Sequence, residues 1–473
     1  MRAIAGLLGA AALAGCSFAP AYKPPAVATP VAFKENGPWQ PAAPADTQLA
    51  TNAANWWAGF GDPTLDALEQ RIAGDNPTLA GALGRYDQAR AYLTQARSGL
   101  FPTIGVDAAL TDNRQSDNRP LRGAGQPDLY PIDQVGGSFG YELDLWGRVR
   151  NGVRAGRAAA EASGDDAAAL KLSLQAQLAA AYLTLRGHDQ QMKLLSATVD
   201  AYAQANAMTD RRFQGGIANA LDTGRAGAQL AEAQAQLEDV KAARALVEHA
   251  IASLVGEPAS NFSIAPALID FTQPVVPVGL PSTLLQRRPD VAAAERRMFA
   301  ANATIGVTKA AFFPAISLSG QGGFQNTGIP GLLTAPNLFW SIGPSTVLTL
   351  FDGGRRRGQL AAARAGWEQA TANYRAEVLR AFQETEDQLA LLHHLGDEQV
   401  AEDRAMQQAA LAERTATNRF TKGAVDYLDV VTAQTTALRI RRTAIDLHTR
   451  RLQATVRLIA AIGGNWQPVT GGS

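Results

Sequence analysis

Arg212-Phe213-Gln214-Gly215-Gly216 and Arg419-Phe420-Thr421-Lys422-Gly423 carry one motif, Arg-Phe-x-x-Gly, at a separation of 207 residues. Leu254-Val255-Gly256 and Ala461-Ile462-Gly463 stand at the same separation. Upstream, Asn76-Pro77 opens a helical pattern that ends at Phe101-Pro102. Arg288-Pro289 opens another that ends at Phe313-Pro314, and here the separation is 212. Two helix-rich halves therefore flank segments that differ in length by five residues, and such a repeat constrains the whole architecture. A chain of this kind works through a pseudo-symmetric body rather than through one catalytic pocket.

The helices read as staves. In the stretch Val431 to Ile462, Val431, Leu438, Ile445, Leu452 and Ile459 recur every seven residues, and so do Ala433, Ile440, Leu447, Ala454 and Ala461. Positions two apart lie about 200° around a helix, so the stripes run on nearly opposite sides. Thr432, Arg439, Asp446 and Gln453 fill one flank between them; Gln434, Arg441, His448 and Thr455 fill the other. An ordinary bundle helix has one apolar face. Two seams with polar flanks fit a helix that touches a neighbour on each side of a hollow cylinder; they also fit a helix sandwiched within a large soluble assembly. Residues 152–213 and 358–420 contain no proline, which allows helices of roughly 90 Å at about 1.5 Å per residue. Around Leu360 to Phe382 the apolar spacing drifts above 3.5, which permits straight helices rather than a strict supercoil.

Between the helices, four segments alternate with period two. They run through Ile104, Val106, Ala108 and Leu110; Val135, Gly137, Phe139, Tyr141, Leu143 and Leu145; Ile316, Leu318, Gly320, Gly322 and Phe324; and Trp340, Ile342, Thr346, Leu348 and Leu350. Two hairpins over a soluble core would show this pattern. Outer-membrane barrel strands, apolar to lipid and polar to a lumen, show it too. Four strands cannot close a barrel, since small barrels need about eight, so the barrel reading demands an oligomer that pools its hairpins.

Net charge is zero and only 18% of residues are charged, a balance that argues against a nucleic-acid binder. Arg2 and the short apolar run Ile4 to Leu13 read as a secretory signal, too short to span a bilayer. It stops at Leu13-Ala14-Gly15-Cys16, and Cys16 is the only cysteine. A plain signal cleaved near Ala14 would fit. A cysteine at that one position favours lipidation, which would hold the mature end on a membrane leaflet. Ser17, not aspartate, follows and favours delivery to the outer membrane. Residues 16–55 are rich in Pro and Ala and read as an extended tether. The expected layout is thus a signal at 1–15, the tether, a first repeat at 56–275, a second at 276–464 and a tail at 465–473. The hairpins fall at about 103–146 and 314–352, and the long helices at about 150–256 and 356–463.

Taken together, these marks resemble the TolC/OprM-like outer-membrane factors, in particular efflux lipoproteins of the NodT type. The resemblance runs from Cys16 to about Gly464. It is carried by the lipobox, the Asn-Pro and Arg-Pro-Asp starts, and Phe-Pro before each first strand. Tyr141-Glu142-Leu143-Asp144-Leu145-Trp146-Gly147-Arg148, Leu350-Phe351-Asp352-Gly353-Gly354-Arg355 and the paired Arg-Phe-x-x-Gly turns complete it. It implies a homotrimer with a 12-stranded outer-membrane β-barrel continuous with a long periplasmic α-helical barrel, mostly α with membrane β. It implies the exit duct of a tripartite pump, joined through a periplasmic adaptor (a membrane fusion protein) to an inner-membrane transporter. The lipoprotein start favours the resistance-nodulation-division type of transporter, and drugs or other small toxic compounds as cargo. No cofactor is implied beyond covalent lipid on Cys16.

In that family the helix-turn-helix tips meet the adaptor and close the periplasmic end. Here the tip residues are Gly216, Ile217, Gly423, Ala424 and Val425, and the aperture residues are Asp222, Arg225, Asp426, Tyr427 and Asp429. Asp222 and Asp429 correspond across the repeat, so an oligomer would set like charges around a constriction and favour cations. Each acid also fits a solvated helix start favoured by the dipole. Thr432 replaces an aspartate common in the family.

An enzyme is the first alternative. His188, His249, His393, His394 and His448 form no His-Glu-x-x-His spacing, and His393-His394 reads as polar helix surface. The acids Asp165-Asp166 and Glu384/Glu386 read as solvated. No metal site or phosphate loop is indicated. A periplasmic coiled-coil adaptor would carry one hairpin and compact β domains, not a second copy of strands and helices. Metal export and type I protein secretion remain alternative duties for the same duct.

Overall fold

The computed structural model describes residues 17–35, 55–118, 125, 127–271, 273–274, 276 and 281–464. In chain order the first half holds α1 (Pro63–Asp75), α2 (Pro77–Ser98), β1 (Thr103–Arg114), β2 (Leu129–Glu142), α3 (Arg148–Gln214) and α4 (Ala220–Leu254). The second holds α5 (Pro281–Arg287), α6 (Pro289–Ala310), β3 (Ala315–Asn326), β4 (Leu338–Val347), α7 (Arg355–Thr421) and α8 (Tyr427–Ala461). The signal segment with Cys16, most of the second half of the tether and the 465–473 tail lie outside the described residues.

The repeat is one of element lengths. The helices α2 and α6 have 22 residues each, β1 and β3 have 12, α3 and α7 have 67, and α4 and α8 have 35. The strands β2 and β4 differ, with 14 and 10 residues. The five-residue offset therefore enters after β1 and β3, in the second strand of each hairpin and its flanking loops.

Two compact units emerge. One comprises the sheet, α2 beyond Gly84, most of α6 and the first turns of α3 and α7; the other holds the rest of the helices. In the first unit the sheet is antiparallel in the order β1-β2-β3-β4. The two hairpins thus join at β2 and β3, a pairing between halves that alternation alone does not specify. Its register sets Ile104, Phe139, Gly320 and Ile342 side by side, and likewise Val106, Gly137, Gly322 and Trp340. These residues line one face, and Ile104, Val106, Trp340 and Ile342 are exposed on it. The sheet leaves β1 and β4 as open edges, an arrangement that invites pairing with another copy.

Strand ends depart from the alternation. β2 begins at Leu129, six residues before Val135. Its Pro131 pairs with Asp112 on β1, while β3 reaches only as far as Asp133, so the missing N–H falls where one side has no neighbour. β4 stops at Val347, short of Leu348 and Leu350.

In the second unit the core gathers Trp57, Phe60, Leu65 and Ile72 against Leu178, Tyr182, Ile251 and Val456. α1 starts where Asp62 accepts from the Thr64 N–H at 2.8 Å, with Pro63 in the first turn, an N-cap of the favoured kind. The same carboxylate accepts from the Tyr182 hydroxyl at 2.5 Å.

The repeat closes on itself at two equivalent joints. Asn76 Nδ2 donates to the Leu254 carbonyl at 2.7 Å, and Arg288 Nη1 donates to the Ala461 carbonyl at 3.0 Å. Beside them Gly256 and Gly463 adopt positive φ, 72° and 92°. A Cβ on either would meet the Asp75 or Arg287 carbonyl oxygen at 2.1 Å. The glycines serve twice: they end α4 and α8 in the left-handed conformation, and they let the start of the next helix pass. Both joints are the spatial meeting of marks that stood far apart in the sequence.

α8 has the two seams its sequence describes. Leu438 packs with Leu195 of α3 and Val240 of α4, while Ala437 and Ile440 pack with Ala409 of α7. The flank Thr432, Arg439 and Asp446 is exposed. Thr455, expected on a polar flank, is buried, because Gln273 covers it with a 3.1 Å hydrogen bond.

Glu384 and Glu386 are not the solvated acids their helical spacing suggests. Glu384 accepts from Arg288 at 2.7 Å, and Glu386 accepts the Lys34 N–H at 2.7 Å and the Glu35 N–H at 3.2 Å. The described part of the N-terminal segment has no helix or strand, as expected, and it is docked. Tyr22 donates to Glu295 at 2.7 Å, Asn302 donates to the Pro20 carbonyl at 3.0 Å, and Phe18 stacks on Phe313 at 4.3 Å.

Candidate functional site: the two helical tips

Each long helix must end abruptly and reverse. At the first tip Gly216 takes φ of 72°, and the Ile217 N–H reaches back to the Arg212 carbonyl at 2.8 Å. At the second, Gly423 takes 73° and the Ala424 N–H reaches the Arg419 carbonyl at 2.9 Å. Both are glycine-terminated closures that satisfy the carbonyls of the last turn. The Arg-Phe-x-x-Gly motif is thus the chemistry of the stop.

The expected tip residues Gly216, Ile217, Gly423 and Ala424 are exposed, Ile217 to 80%, and Val425 is half-buried. The side chains behind them differ between the halves. Phe213 is 47% exposed, whereas Phe420 lies under the Arg212 guanidinium at 4.6 Å and beside Tyr427 at 5.3 Å. Tyr427 is only 3% exposed and packs with Ala226 and Val430. Its phenol is pushed up by burial, with Tyr202 and Asp222 close by. This Arg212–Phe420–Tyr427 stack ties the first tip to the second, and sequence reasoning missed it: the motif advertised a turn, not a cross-contact.

The acids also divide. Asp222 begins α4, its side chain 19% exposed and 3.9 Å from Arg225. Asn219 caps that helix by accepting from the Asp222 N–H at 2.9 Å. Asp426 stands at the matching start of α8 without a side-chain capping bond. Asp429 is exposed and makes no salt bridge among the described residues, because Thr432 stands where the first half has Arg225. The structure thus brings Asp222, Arg225 and Tyr427 into one neighbourhood and leaves Asp426 and Asp429 to solvent. His393, His394 and Asp397 on α7 form a separate group whose ligand atoms lie within 4.8 Å of one another.

No described helix is long and apolar enough to cross a membrane. The chain matches the outer membrane efflux protein family over residues 68–257 and 280–464. It is 33% identical over 470 residues to the outer membrane protein OprJ of Pseudomonas aeruginosa, covering 98% of this chain and 96% of that protein. It is 28% identical to the cation efflux system protein CusC of Escherichia coli, covering 97% of each. The solved structure of the outer-membrane channel OprN superposes with a TM-score of 0.85 at 27% identity, over 96% of this chain and 100% of that one. The chain belongs to the outer membrane efflux protein family, as an outer-membrane channel that reaches into the periplasm and not an enzyme.

Proposed function

We propose that three copies pool their four strands into a 12-stranded barrel and their long helices into a tube, forming the exit duct of a tripartite pump. The observation that carries this reading is α8, buried on two opposite sides within one protomer, together with a sheet that has two open edges. The helix α7 adds a further exposed apolar series, Leu379, Val400 and Leu411, suited to the next copy. Energy and most selectivity come from an inner-membrane transporter of the resistance-nodulation-division type, reached through a periplasmic adaptor that grips Gly216, Ile217, Gly423, Ala424 and Val425. Lipid on Cys16 anchors the mature end. Drugs or other small toxic compounds are the cargo.

Asp222 and Asp429 line the aperture in this reading, with Arg225, Asp426 and Tyr427 around them. Cross-linking in cells followed by co-purification tests the assembly: an adaptor and a transporter of the named type should be recovered. Recovery of an ATP-driven protein exporter instead would sink the cargo assignment. A cation-export duct is the second reading, favoured by the His393–His394–Asp397 group. It predicts that deleting the gene sensitises cells to copper, silver or zinc salts rather than to organic toxins.

A further inference from the structure

The two 67-residue helices begin with the wrong charges. The first turns of α3 and α7 hold no acid, yet they carry Arg148 and Arg150, and Arg355, Arg356 and Arg357. Cations at a helix N-terminus oppose the macrodipole. The ends of α2 and α6 add Arg97 and Lys309. The collar where strands pass into helices thus has seven basic residues against three acids, Glu142, Asp144 and Asp352. Features that work against local stability on both copies of a repeat point to a function.

The acids are already engaged. Asp144 caps α3 through the Val149 and Arg150 N–H groups, and Asp352 accepts the Arg356 N–H and guanidinium. Arg148 pairs with Glu142, and Arg150 with Asp144 at 3.2 Å. What is left over is positive. Arg97, Arg355 and Arg357 are exposed and make no salt bridge among the described residues. Arg355 borders a cavity of about 320 Å³ together with Arg148, Arg356, Trp146 and Phe313. Around the same collar Phe101, Leu350 and Phe351 are exposed, the last two almost entirely. Aromatic rings beside basic side chains are the signature of a bilayer interface, and exposed arginines there attract anionic headgroups.

We propose that this collar is a binding surface for the phosphate headgroups of anionic phospholipids in the leaflet where the strands end. Arg97, Arg355 and Arg357 meet the phosphates, and the aromatic rings sit among the upper acyl carbons. The proposal goes beyond the duct's cargo and partners. It rests on barrel closure in one respect: β1 and β4 are the open edges, so edge-to-edge closure brings Arg97 of one copy toward Arg355 and Arg357 of the next.

The test uses the purified, assembled full-length channel in a neutral detergent, titrated with short-chain phosphatidylglycerol or phosphatidylcholine. Bound lipid is counted by native mass spectrometry at low and high salt. We expect phosphatidylglycerol to bind at least tenfold more tightly than phosphatidylcholine. That preference should fall to about twofold in 0.5 M salt and in the Arg355→Ala/Arg357→Ala variant. Equal binding by the unaltered channel overturns the proposal, as does a preference that survives in the variant. Millimolar inorganic phosphate displacing the lipid would assign the site to free phosphate and overturn the lipid surface. Should the alanine variant fail to assemble, Arg355→Lys/Arg357→Lys must keep the preference, and its loss would count against the charge argument. The oligomer band on a gel reports closure separately from lipid binding.

Discussion

At equivalent joints the two halves do the same job with different chemistry. Asn76 closes the first with a neutral amide that also accepts the Leu79 N–H at 2.9 Å. Arg288 closes the second with a buried guanidinium, which then needs Asp290 and Glu384 as counter-charges, the latter at 2.7 Å. The backbone requirement is shared: a donor must reach the last-turn carbonyl of the returning helix. Geometry fixes that requirement, and the side chain that meets it is free to vary provided its charge is answered.

The sharpest way to break the equivalence is through the glycines they share. Gly256→Val and Gly463→Val each force a side chain into a carbonyl at positive φ. Each should abolish the heat-modifiable oligomer band, a loss of several kcal/mol. If one variant assembles normally, the joints are not equivalent.

Removing the donors should separate the halves. Arg288→Ala leaves Asp290 and Glu384 without their buried partner and should lower unfolding stability by about 3 kcal/mol. Asn76→Ala should cost about 1–2 kcal/mol. Denaturant melts that rank them the other way would refute the charge-compensation account. With both acids in place their attraction outweighs the cost of burying Arg288, whose pKa is raised.

Glu69 marks a further asymmetry, since the 212-residue offset from it lands on Pro281. It is fully buried in α1, neither carboxylate oxygen has a hydrogen-bond partner among the described residues, and burial, with Asp66 nearby, pushes its pKa up to about 9. Below about pH 4.5 the group is protonated folded or unfolded and has no effect. Between there and pH 9 only the unfolded chain releases the proton, so stability falls as pH rises. Glu69→Gln should therefore raise the melting temperature at pH 8 and leave it unchanged at pH 4. A shift of the same size at both values would contradict the assignment.

The smallest effects belong to the tips. Asp429→Ala removes an unpaired charge and should weaken cation preference in planar bilayers by about twofold or more. Asp222→Ala should change it less, because Arg225 already offsets that carboxylate. Identical selectivity in all three channels would exclude both acids from the aperture.

Much of this was legible beforehand because the repeat writes its own boundaries. Pro77, Pro289, Gly216 and Gly423 act on the backbone directly, so helix starts and stops followed from single residues. The seams of α8 were legible because one protomer supplies both neighbours. What escaped was long-range. No local pattern announces that β2 meets β3, that Arg212 crosses to Phe420, or that Glu386 clasps the backbone of Lys34 and Glu35. A periodicity reports which face is apolar, not which partner arrives. The helix α5, the counterpart of α1, hid for another reason: at seven residues it is too short to display a period.

The paired seams of α8 also set how this helix can change over evolutionary time. Over its first turns its contacts follow two seams, and the lane through Thr432, Arg439 and Asp446 between them is exposed in the single chain. Substitutions at Thr432 and Arg439 leave both seams untouched, whereas Asp446 accepts from the buried Gln191 of α3 at 2.5 Å. A lineage can rewrite Thr432 and Arg439 without disturbing the packing that holds this helix in the chain.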